Sequence, residues 1–219
     1  MDPHLVIHSY IDHVLEHGHS PVSVYAFAKD REFTEREFFE QFSTFEALES
    51  GIWKKTVTDT IEAVQSSDEW NGFSAQQRLL TFYYAYCDRI LDQRSFFLVR
   101  FPRIRDKQLP SPALRGMRDA FTSFAESIVQ TGMERGEVAC RGPLSRTYPQ
   151  GLFGHFLTVV EFNLADTSQR FERTDAYIEK SVRLAFDVIG TQALDSAFDL
   201  VRFLSGRSWG TPPTTTPDV

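Results

Sequence analysis

Three residues that favour the start of a helix lie close together near the N-terminus, and they limit what this part of the chain can fold into. Ser23 precedes VYAFAKD, Thr34 precedes EREFFEQF and Ser43 precedes TFEALESGIW. Ser and Thr are preferred helix N-caps. Thr34 with Glu37, and Ser43 with Glu46, also fit the S/T-x-x-E capping box. Caps at such short intervals predict three helices in quick succession, the first two about two turns long.

Short helices joined by tight turns cannot bury their own apolar side chains. We therefore expect Phe27, Phe38 and Phe42 to pack against a first helix over residues 3–17 and against the start of the fourth helix. Such an arrangement is a helix-turn-helix resting on a three-helix core.

The rest of the chain shows helical periodicity, and no run alternates convincingly enough to predict a strand. The sequence therefore predicts an all-α protein. Further helices are expected over residues 44–66, 74–92, 95–101, 112–135, 152–165, 175–189 and 194–204, and the Pro/Thr-rich end, residues 209–219, is predicted to be a disordered tail.

Composition excludes several classes of protein. The 219 residues carry a formal net charge of -7, which argues against a surface that clamps nucleic acid everywhere. Two distant cysteines, Cys87 and Cys140, indicate neither a disulfide framework nor a thiolate metal site.

We see no signal peptide and no apolar run long enough to span a membrane, so a soluble cytoplasmic protein is expected. There is no Gly-rich phosphate loop, GxSxG or HExxH motif, and we predict no enzyme activity and no cofactor.

Net negative charge is concentrated in the N-terminal part of the chain. Residues 1–55 carry ten Asp/Glu and five Lys/Arg, a balance of -5, whereas the remaining residues carry 20 acids and 18 bases. The third helix contains Glu35, Glu37 and Glu40 against a single Arg36. A helix shaped to enter a DNA groove normally carries the opposite charge.

The stretch SVYAFAKDREFTEREFFEQFSTFEAL resembles the head of the tetracycline-repressor (TetR) family. The body resembles one group of TetR-like C-terminal domains through FERTDAYIEKSVRLAFDVIG and LDSAFDLVRFL. The resemblance covers nearly the whole chain. The positions that match the capping and packing pattern of the head are Ser23, Val24, Phe27, Ala28, Thr34, Phe38, Phe42, Glu46 and Leu48.

The departures from the family pattern fall where the family touches DNA. Glu32 replaces the turn glycine, Phe39 replaces the phosphate-contacting Tyr, and Phe45 replaces the Lys that opens the fourth helix. By position, the candidate DNA-contacting residues are Thr34, Arg36, Phe39, Gln41 and Phe45. The resemblance implies DNA as a partner, whereas the charge speaks against tight binding.

The resemblance also implies a ligand pocket and a dimer bundle in the body. Its pocket-wall candidates are Phe82, Tyr86, Phe97, Phe121 and Phe124, which suit an apolar or aromatic effector, although a filled core is an equally good interpretation. The apolar stripes of the last long helices predict a homodimer interface formed by Phe153, Phe156, Val160, Ile178, Val182 and Phe186.

The expected organisation is a helix-turn-helix domain over residues 1–50, an effector-binding and dimerisation domain over 51–208, and the tail. The implied function is a dimeric, effector-responsive transcriptional regulator. The alternative is a protein of the same fold that no longer binds DNA and acts as a ligand-binding or protein-interaction module.

Two further features leave alternatives open. Five histidines lie within the first 19 residues, including the i,i+4 pairs His4/His8 and His13/His17. The two pairs flank the apolar stripe on opposite sides, so we predict no metal site, and the alternative is a pH-responsive patch whose protonated histidines offset the acidic head. The basic segment RSFFLVRFPRIRDK, residues 94–107, is either a patch for an acidic partner or a linker whose arginines pair with the acidic head.

Overall fold

The computed structural model describes residues 3–102 and 111–190, and within them the protein is all-α, as predicted. The expected helix over 194–204 and the expected tail lie outside the described residues. The helices, in chain order, are α1 (Pro3–His17), α2 (Val24–Asp30), α3 (Glu35–Phe39), α4 (Phe45–Gln65), α5 (Ala75–Arg89), α6 (Arg94–Arg100), α7 (Arg115–Glu134), α8 (Tyr148–Ala165) and α9 (Glu172–Gly190).

An aromatic cluster holds the head, α1 to the start of α4, together. The buried Phe27 ring of α2 lies 6.2 Å from Tyr10 of α1, 6.4 Å from Phe38 of α3 and 5.7 Å from Phe45 of α4, centroid to centroid. Edge-to-face pairs of this kind add to the free energy gained from burial alone. The prediction that α2 and α3 pack on α1 and α4 is thereby confirmed.

Helix α4 connects the head to the body. It is capped by Thr44, whose Oγ1 accepts a hydrogen bond from the Ala47 N–H at 3.1 Å, so the predicted Ser43–Glu46 capping box is wrong by one residue. The helix runs for 21 residues and buries Trp53 and Val57 against the body. The predicted domain boundary between residues 50 and 51 falls inside this continuous helix. The division into two domains remains a prediction.

Helices α4 and α7 approach each other closely at Gly116. The Gly116 N–H donates to Ser50 Oγ at 2.9 Å, and a Cβ at this position would lie 2.5 Å from the Ser50 carbonyl oxygen. Only glycine fits this contact without a shift of one helix, and the contact fixes the start of α7 against the second turn of α4.

The core of the body is made by α5, α7, α8 and α9. Phe82, Phe121 and Phe156 are fully buried and come from three of these helices. Among residues 3–102 and 111–190, no helix is long and apolar enough to cross a membrane.

Candidate nucleic-acid interface and effector region

The helix-turn-helix is formed by α2, a four-residue turn and α3, and both helices are capped as predicted. Ser23 Oγ accepts a hydrogen bond from the Ala26 N–H at 3.1 Å. Thr34 Oγ1 accepts from the Glu37 N–H at 3.2 Å, and the Glu37 carboxylate accepts from the Thr34 N–H at 2.8 Å. The reciprocal pair is the capping box expected from the sequence, and it fixes the start of the five-residue α3.

The turn contains an acid in a left-handed backbone conformation. Glu32 has φ +59°, in the region that glycine adopts most easily. The Phe33 N–H donates to the Ala28 carbonyl oxygen at 3.0 Å, which closes the turn behind α2. A non-glycine residue in this conformation costs on the order of 1 kcal/mol. The turn therefore has a left-handed residue at the position where the resemblance implies glycine, and that residue is a glutamate.

The exposed surface of α3 is acidic and partly apolar. Arg36 Nε donates to Glu40 Oε1 at 3.2 Å, so the one cation of the helix is already paired with a carboxylate. Hydrogen bonds from the Thr34 N–H and hydroxyl lower the pKa of Glu37, so this carboxylate stays ionised to a lower pH than an ordinary glutamate. Glu35 is exposed, and the Phe39 ring is 53% exposed.

The five candidate DNA-contacting residues do not share one environment. Thr34, Arg36 and Phe39 are exposed on or beside α3. Gln41 is half-buried, and Phe45 is a half-buried packing residue whose ring stacks on Tyr10 at 5.5 Å. Phe45 therefore acts in the core of the head and offers little surface to a phosphate.

A buried charged cluster joins the head to the body, and the sequence analysis did not identify it. Glu49 of α4 is 3% exposed, and its Oε1 accepts hydrogen bonds from the Tyr10 hydroxyl and from Arg100 Nε, both at 2.5 Å. Ser20 Oγ lies 2.8 Å from the same hydroxyl. Burial, together with the Glu49 carboxylate, raises the pKa of the Tyr10 hydroxyl, which stays protonated. The available signal was an acid on the buried face of α4, beside Leu48 and Ile52.

The start of the basic segment is occupied by contacts within the chain. Besides the Arg100–Glu49 pair, Arg94 donates to Asn163 Oδ1 at 2.9 Å and to the carbonyl oxygens of Asn163 and Leu164 at 2.8 and 3.2 Å. Both arginines therefore position α6, but only Arg100 pairs with an acid of the head, as the linker interpretation expects, whereas Arg94 binds the end of α8 in the body. Arg103, Arg105 and Lys107 lie outside the described residues.

Four of the five pocket-wall candidates lie together, and they contact one another. Phe82 lies 4.9 Å from Phe124, 5.5 Å from Phe121 and 5.9 Å from Tyr86, centroid to centroid. All four are buried, which is the filled-core arrangement. The fifth, Phe97, packs elsewhere, with its ring 4.7 Å from that of Trp53.

Polar atoms without hydrogen-bond partners lie inside this aromatic region. The Tyr86 hydroxyl and His155 Nε2 are buried and have no partner among the described residues, whereas His155 Nδ1 lies 3.1 Å from the Tyr83 hydroxyl. Burial lowers the pKa of His155 to about 4 and raises the pKa of Tyr86 well above its ordinary value. A buried polar group without a partner costs free energy.

The predicted dimer stripes face the interior of the protomer. Phe156, Val160, Ile178 and Val182 are fully buried, because they pack α8 and α9 against the rest of the body. Phe186 is also buried, and Phe153 is half-buried with its ring 6.1 Å from that of Phe121. These six residues therefore pack inside the protomer, and they do not form an exposed apolar stripe that a second copy could contact. The large apolar residues that α9 exposes are Leu184 and Val188, at 63% and 44%.

The histidines form a small ring cluster at the end of α1. The His13 and His17 rings stack at 4.2 Å, and each lies 6.1 Å from the His19 ring. Burial lowers the pKa of His13. Within the part of the chain that the structure describes, no group of three or more His, Cys, Asp or Glu side chains is arranged to hold a metal ion.

Fold and site together define a helix-turn-helix protein with an all-helical body. A family model described as "Tetracyclin repressor-like, C-terminal domain" matches residues 78–204, and the chain belongs to this tetracycline-repressor (TetR) family. The family and the similar solved structures are transcription regulators, not enzymes. No curated protein matches the sequence significantly.

Solved structures of TetR regulators share the fold at low sequence identity. A protein described as a tetR family transcription regulator from Shewanella sp. PV-4 is 13% identical, with a TM-score of 0.59 over 86% of this chain and 98% of its own. The transcriptional regulator FadR from Bacillus subtilis, in complex with stearoyl-CoA, is 16% identical, with a TM-score of 0.56 over 84% and 98%. A regulatory protein of the tetR family from Rhodococcus RHA1 is 16% identical, with a TM-score of 0.51 over 86% and 96%.

Proposed function

We propose that the protein is a dimeric, effector-responsive transcriptional regulator that contacts DNA through an unusually acidic α3. The observation that carries the proposal is the intact helix-turn-helix, with the Thr34–Glu37 capping box closed and α3 packed through Phe38 on the head. Thr34, Arg36 and Gln41 are the polar residues left to contact DNA.

The proposed DNA contact uses few phosphates. Cationic contacts to phosphate supply most non-specific affinity, and each one steepens the dependence of binding on salt. Arg36 is paired with Glu40, and Lys29 is the exposed lysine of the helix-turn-helix, so few cations are available for phosphates. We expect specific binding to the upstream DNA of the protein's own gene, weak binding to random DNA, and a shallow salt slope. Fluorescence anisotropy with both duplexes at several salt concentrations measures all three.

A matched pair of charge reversals tests whether α3 faces the DNA. Glu35→Lys adds a cation on α3, and Glu62→Lys adds the same charge to an exposed position on the distal half of α4. Glu35→Lys should tighten binding and steepen the slope of log K against log salt by about 0.9, the value for one added phosphate contact. Equal effects of the two variants would show that only net charge matters, and the proposed contact would be refuted.

We place the effector region in the body, in a cavity beside its aromatic core. A cavity of about 420 Å³ lies between α7 and α8 and is lined by Leu114, Phe153 and Leu157 among others, and Phe153 also contacts the Phe121 ring. An effector with an apolar or aromatic body and one polar group fits this surrounding.

Candidate effectors are tested by their effect on DNA binding. The complex of the B. subtilis regulator makes stearoyl-CoA one compound to include, beside single-ring aromatic compounds. An effector should change the affinity for the upstream DNA, and Leu157→Trp, which fills the cavity, should reduce that change. An effector response that Leu157→Trp leaves intact would place the site elsewhere.

We further propose that the dimer forms through the exposed apolar residues of α9. Leu184→Glu should shift the protein towards the monomer in sedimentation velocity, while Val22→Glu, at a 92% exposed position in the head, should leave the dimer unchanged. A wild-type monomer at micromolar concentration would refute the dimer.

The alternative function is a protein-interaction module that no longer binds DNA. The observation favouring it is the exposed apolar surface of an acidic head, where Val22, Tyr25 and Phe39 are 92%, 62% and 53% exposed. Absence of DNA binding even at low salt would favour this function over the regulator.

A further inference from the structure

A cavity of about 180 Å³ lies where the head meets the body, between α1, α4 and α6, and the proposed function does not use it. One wall is a face of α1 with His4, Ile7, His8 and Ile11. The second is a face of α4 with Ile52, Lys55, Thr56 and Asp59. The third runs from the end of α5 into α6 and contributes Arg89, Asp92, Gln93 and Phe97.

Part of the lining of this junction cavity is apolar. Ile11, Ile52 and Phe97 are buried, with 7%, 5% and 1% of their surface exposed, and Ile7 is half-buried. An apolar cavity of about 150 Å³ in another protein is large enough to hold benzene. The junction cavity is therefore large enough for a single aromatic ring or a short branched chain.

Two cations of the cavity share a single carboxylate. Lys55 Nζ lies 3.0 Å from Asp59 Oδ1 and Arg89 Nη1 lies 4.0 Å from Asp59 Oδ2, while Arg89 Nη2 donates to the Asp59 carbonyl oxygen at 3.3 Å. These three side chains together carry one net positive charge. Arg89 Nε is buried and has no acceptor among the described residues.

The second acid of the lining, Asp92, is exposed to solvent, as Lys55 is, and it brings the formal charge of these four side chains to zero. The Arg89 Nε donor, in contrast, is buried. A buried N–H without an acceptor costs free energy, and an acceptor brought by a ligand would recover it. The planar guanidinium of arginine matches a carboxylate in shape and charge.

We propose that the junction cavity binds a small carboxylate with an apolar body. Arg89 and Lys55 hold the carboxylate, and Ile11, Ile52 and Phe97 contact the apolar part. Such a ligand touches the head through α1 and the body through α6, so its binding stabilises the junction between them. This site is separate from the aromatic region between α5, α7 and α8, and none of its lining residues belongs to α3.

The probe for this site is 4-fluorobenzoate, followed by fluorine NMR with the full-length protein, and its neutral isostere 4-fluorobenzamide is the comparison. The expected dissociation constant for the acid is about 1 mM or tighter, as is usual for a ligand of about ten heavy atoms. The amide should bind at least about tenfold more weakly, because it lacks the charge that Arg89 and Lys55 recognise.

A pair of adjacent lysines supplies the matched variants. Lys55 lines the cavity, whereas Lys54 is the neighbouring exposed lysine on α4 and is not part of the lining. Lys55→Met should weaken binding of 4-fluorobenzoate several-fold, and Lys54→Met should leave it unchanged. Because both side chains are exposed, both variants should fold, which thermal melting without ligand checks. Millimolar 4-fluorobenzoate should raise the melting temperature of the wild type by a few degrees, and that of the Lys55→Met variant by less.

Three results would overturn the proposal. They are equal affinity for the acid and the amide, equal affinity of the Lys55→Met and Lys54→Met variants for the acid, and no saturable binding up to 5 mM of the probe, about five times the expected dissociation constant. None of these results bears on DNA binding by α3, so the regulator proposal and the cavity proposal fail separately.

Discussion

Two buried polar regions of this protein are built in opposite ways. At the junction of head and body, the Glu49 carboxylate accepts hydrogen bonds from both Tyr10 and Arg100, and the Tyr10 hydroxyl also lies beside Ser20. In the core of the body, the Tyr86 hydroxyl and His155 Nε2 have no partner among the described residues. Both regions are enclosed by aromatic rings, so burial alone does not separate them.

The difference concerns which contacts the chain completes by itself. A buried charge is tolerated only with close partners, and removing one partner of such a pair is strongly destabilising. The Glu49 cluster with Tyr10 and Arg100 is thus complete without any ligand. The body core, in contrast, holds two polar atoms whose hydrogen bonds no described residue completes. The comparison predicts that substitutions at the junction cost much more than substitutions in the body core.

The largest effect is expected at Glu49. Glu49→Ala leaves the Arg100 guanidinium and the Tyr10 hydroxyl without their acceptor, and it should lower the free energy of unfolding by about 3–5 kcal/mol. Glu46→Ala, an exposed position on the same helix, should cost about 0.5 kcal/mol. Urea denaturation at one fixed protein concentration measures both. A cost below 1 kcal/mol for Glu49→Ala would mean that the hydrogen bonds of Glu49 with Tyr10 and Arg100 contribute little to stability.

The next effect is the loss of one hydroxyl at the junction. Tyr10→Phe removes a donor to a charged acceptor, and the expected cost is about 2 kcal/mol. The ring contacts with Phe27 and Phe45 remain in this variant, so the cost reports the hydrogen bond rather than packing. The same denaturation experiment measures it, and a neutral result would contradict the importance of the hydroxyl.

A smaller effect should appear as a pH dependence of the body core. The folded pKa of His155, about 4, lies below its unfolded value of 6.5, so the unfolded chain binds the proton first as the pH falls. The neutral form therefore favours folding above pH 6.5, and stability is lost as the pH falls from 6.5 towards 4. His155→Gln should remove a loss of about 1–2 kcal/mol between pH 7.5 and pH 5. Identical pH profiles for the wild type and the variant would refute the assignment; the carboxylates titrate in both and cancel.

The smallest effect is expected for the counterpart of Tyr10 in the body core. Tyr86→Phe removes a hydroxyl that has no partner, so the free energy of unfolding should change by less than about 0.5 kcal/mol or rise slightly. A loss as large as that of Tyr10→Phe would erase the difference between the two regions. The pair is matched, because both variants delete one oxygen from a buried tyrosine.

The sequence predicted the head better than the body for local reasons. Caps act over three residues, and so Thr34 and Glu37 could be read directly from the chain. The start of α4 was displaced by one residue because Ser43 and Thr44 are both competent caps. Helix α8 begins at Tyr148, four residues before the predicted start, with Pro149 in its first turn, a helix-start signal that the prediction did not use.

The errors in the body involve partners that are distant in the sequence. Helix α8 carries apolar residues on two sides, and periodicity alone does not say whether the second side packs within the protomer or against a second copy. Phe156 and Val160 turned out to be fully buried within the protomer. The Glu49–Arg100 pair joins residues 51 positions apart, and no local pattern connects them. The same limit applies to Phe97, which lies beside Trp53 and not beside Phe82.

Helix α6 is held at both of its ends by arginine contacts with other helices. Arg94, at its first residue, is held by carbonyl oxygens at the end of α8, and Arg100, at its last residue, is held by Glu49 of α4. Seven helical residues form a stiff rod about 10 Å long. The helix thus connects the end of α8 with Glu49 of α4. A displacement of the end of α8 therefore either moves α4 by a similar distance or detaches one of the two arginines.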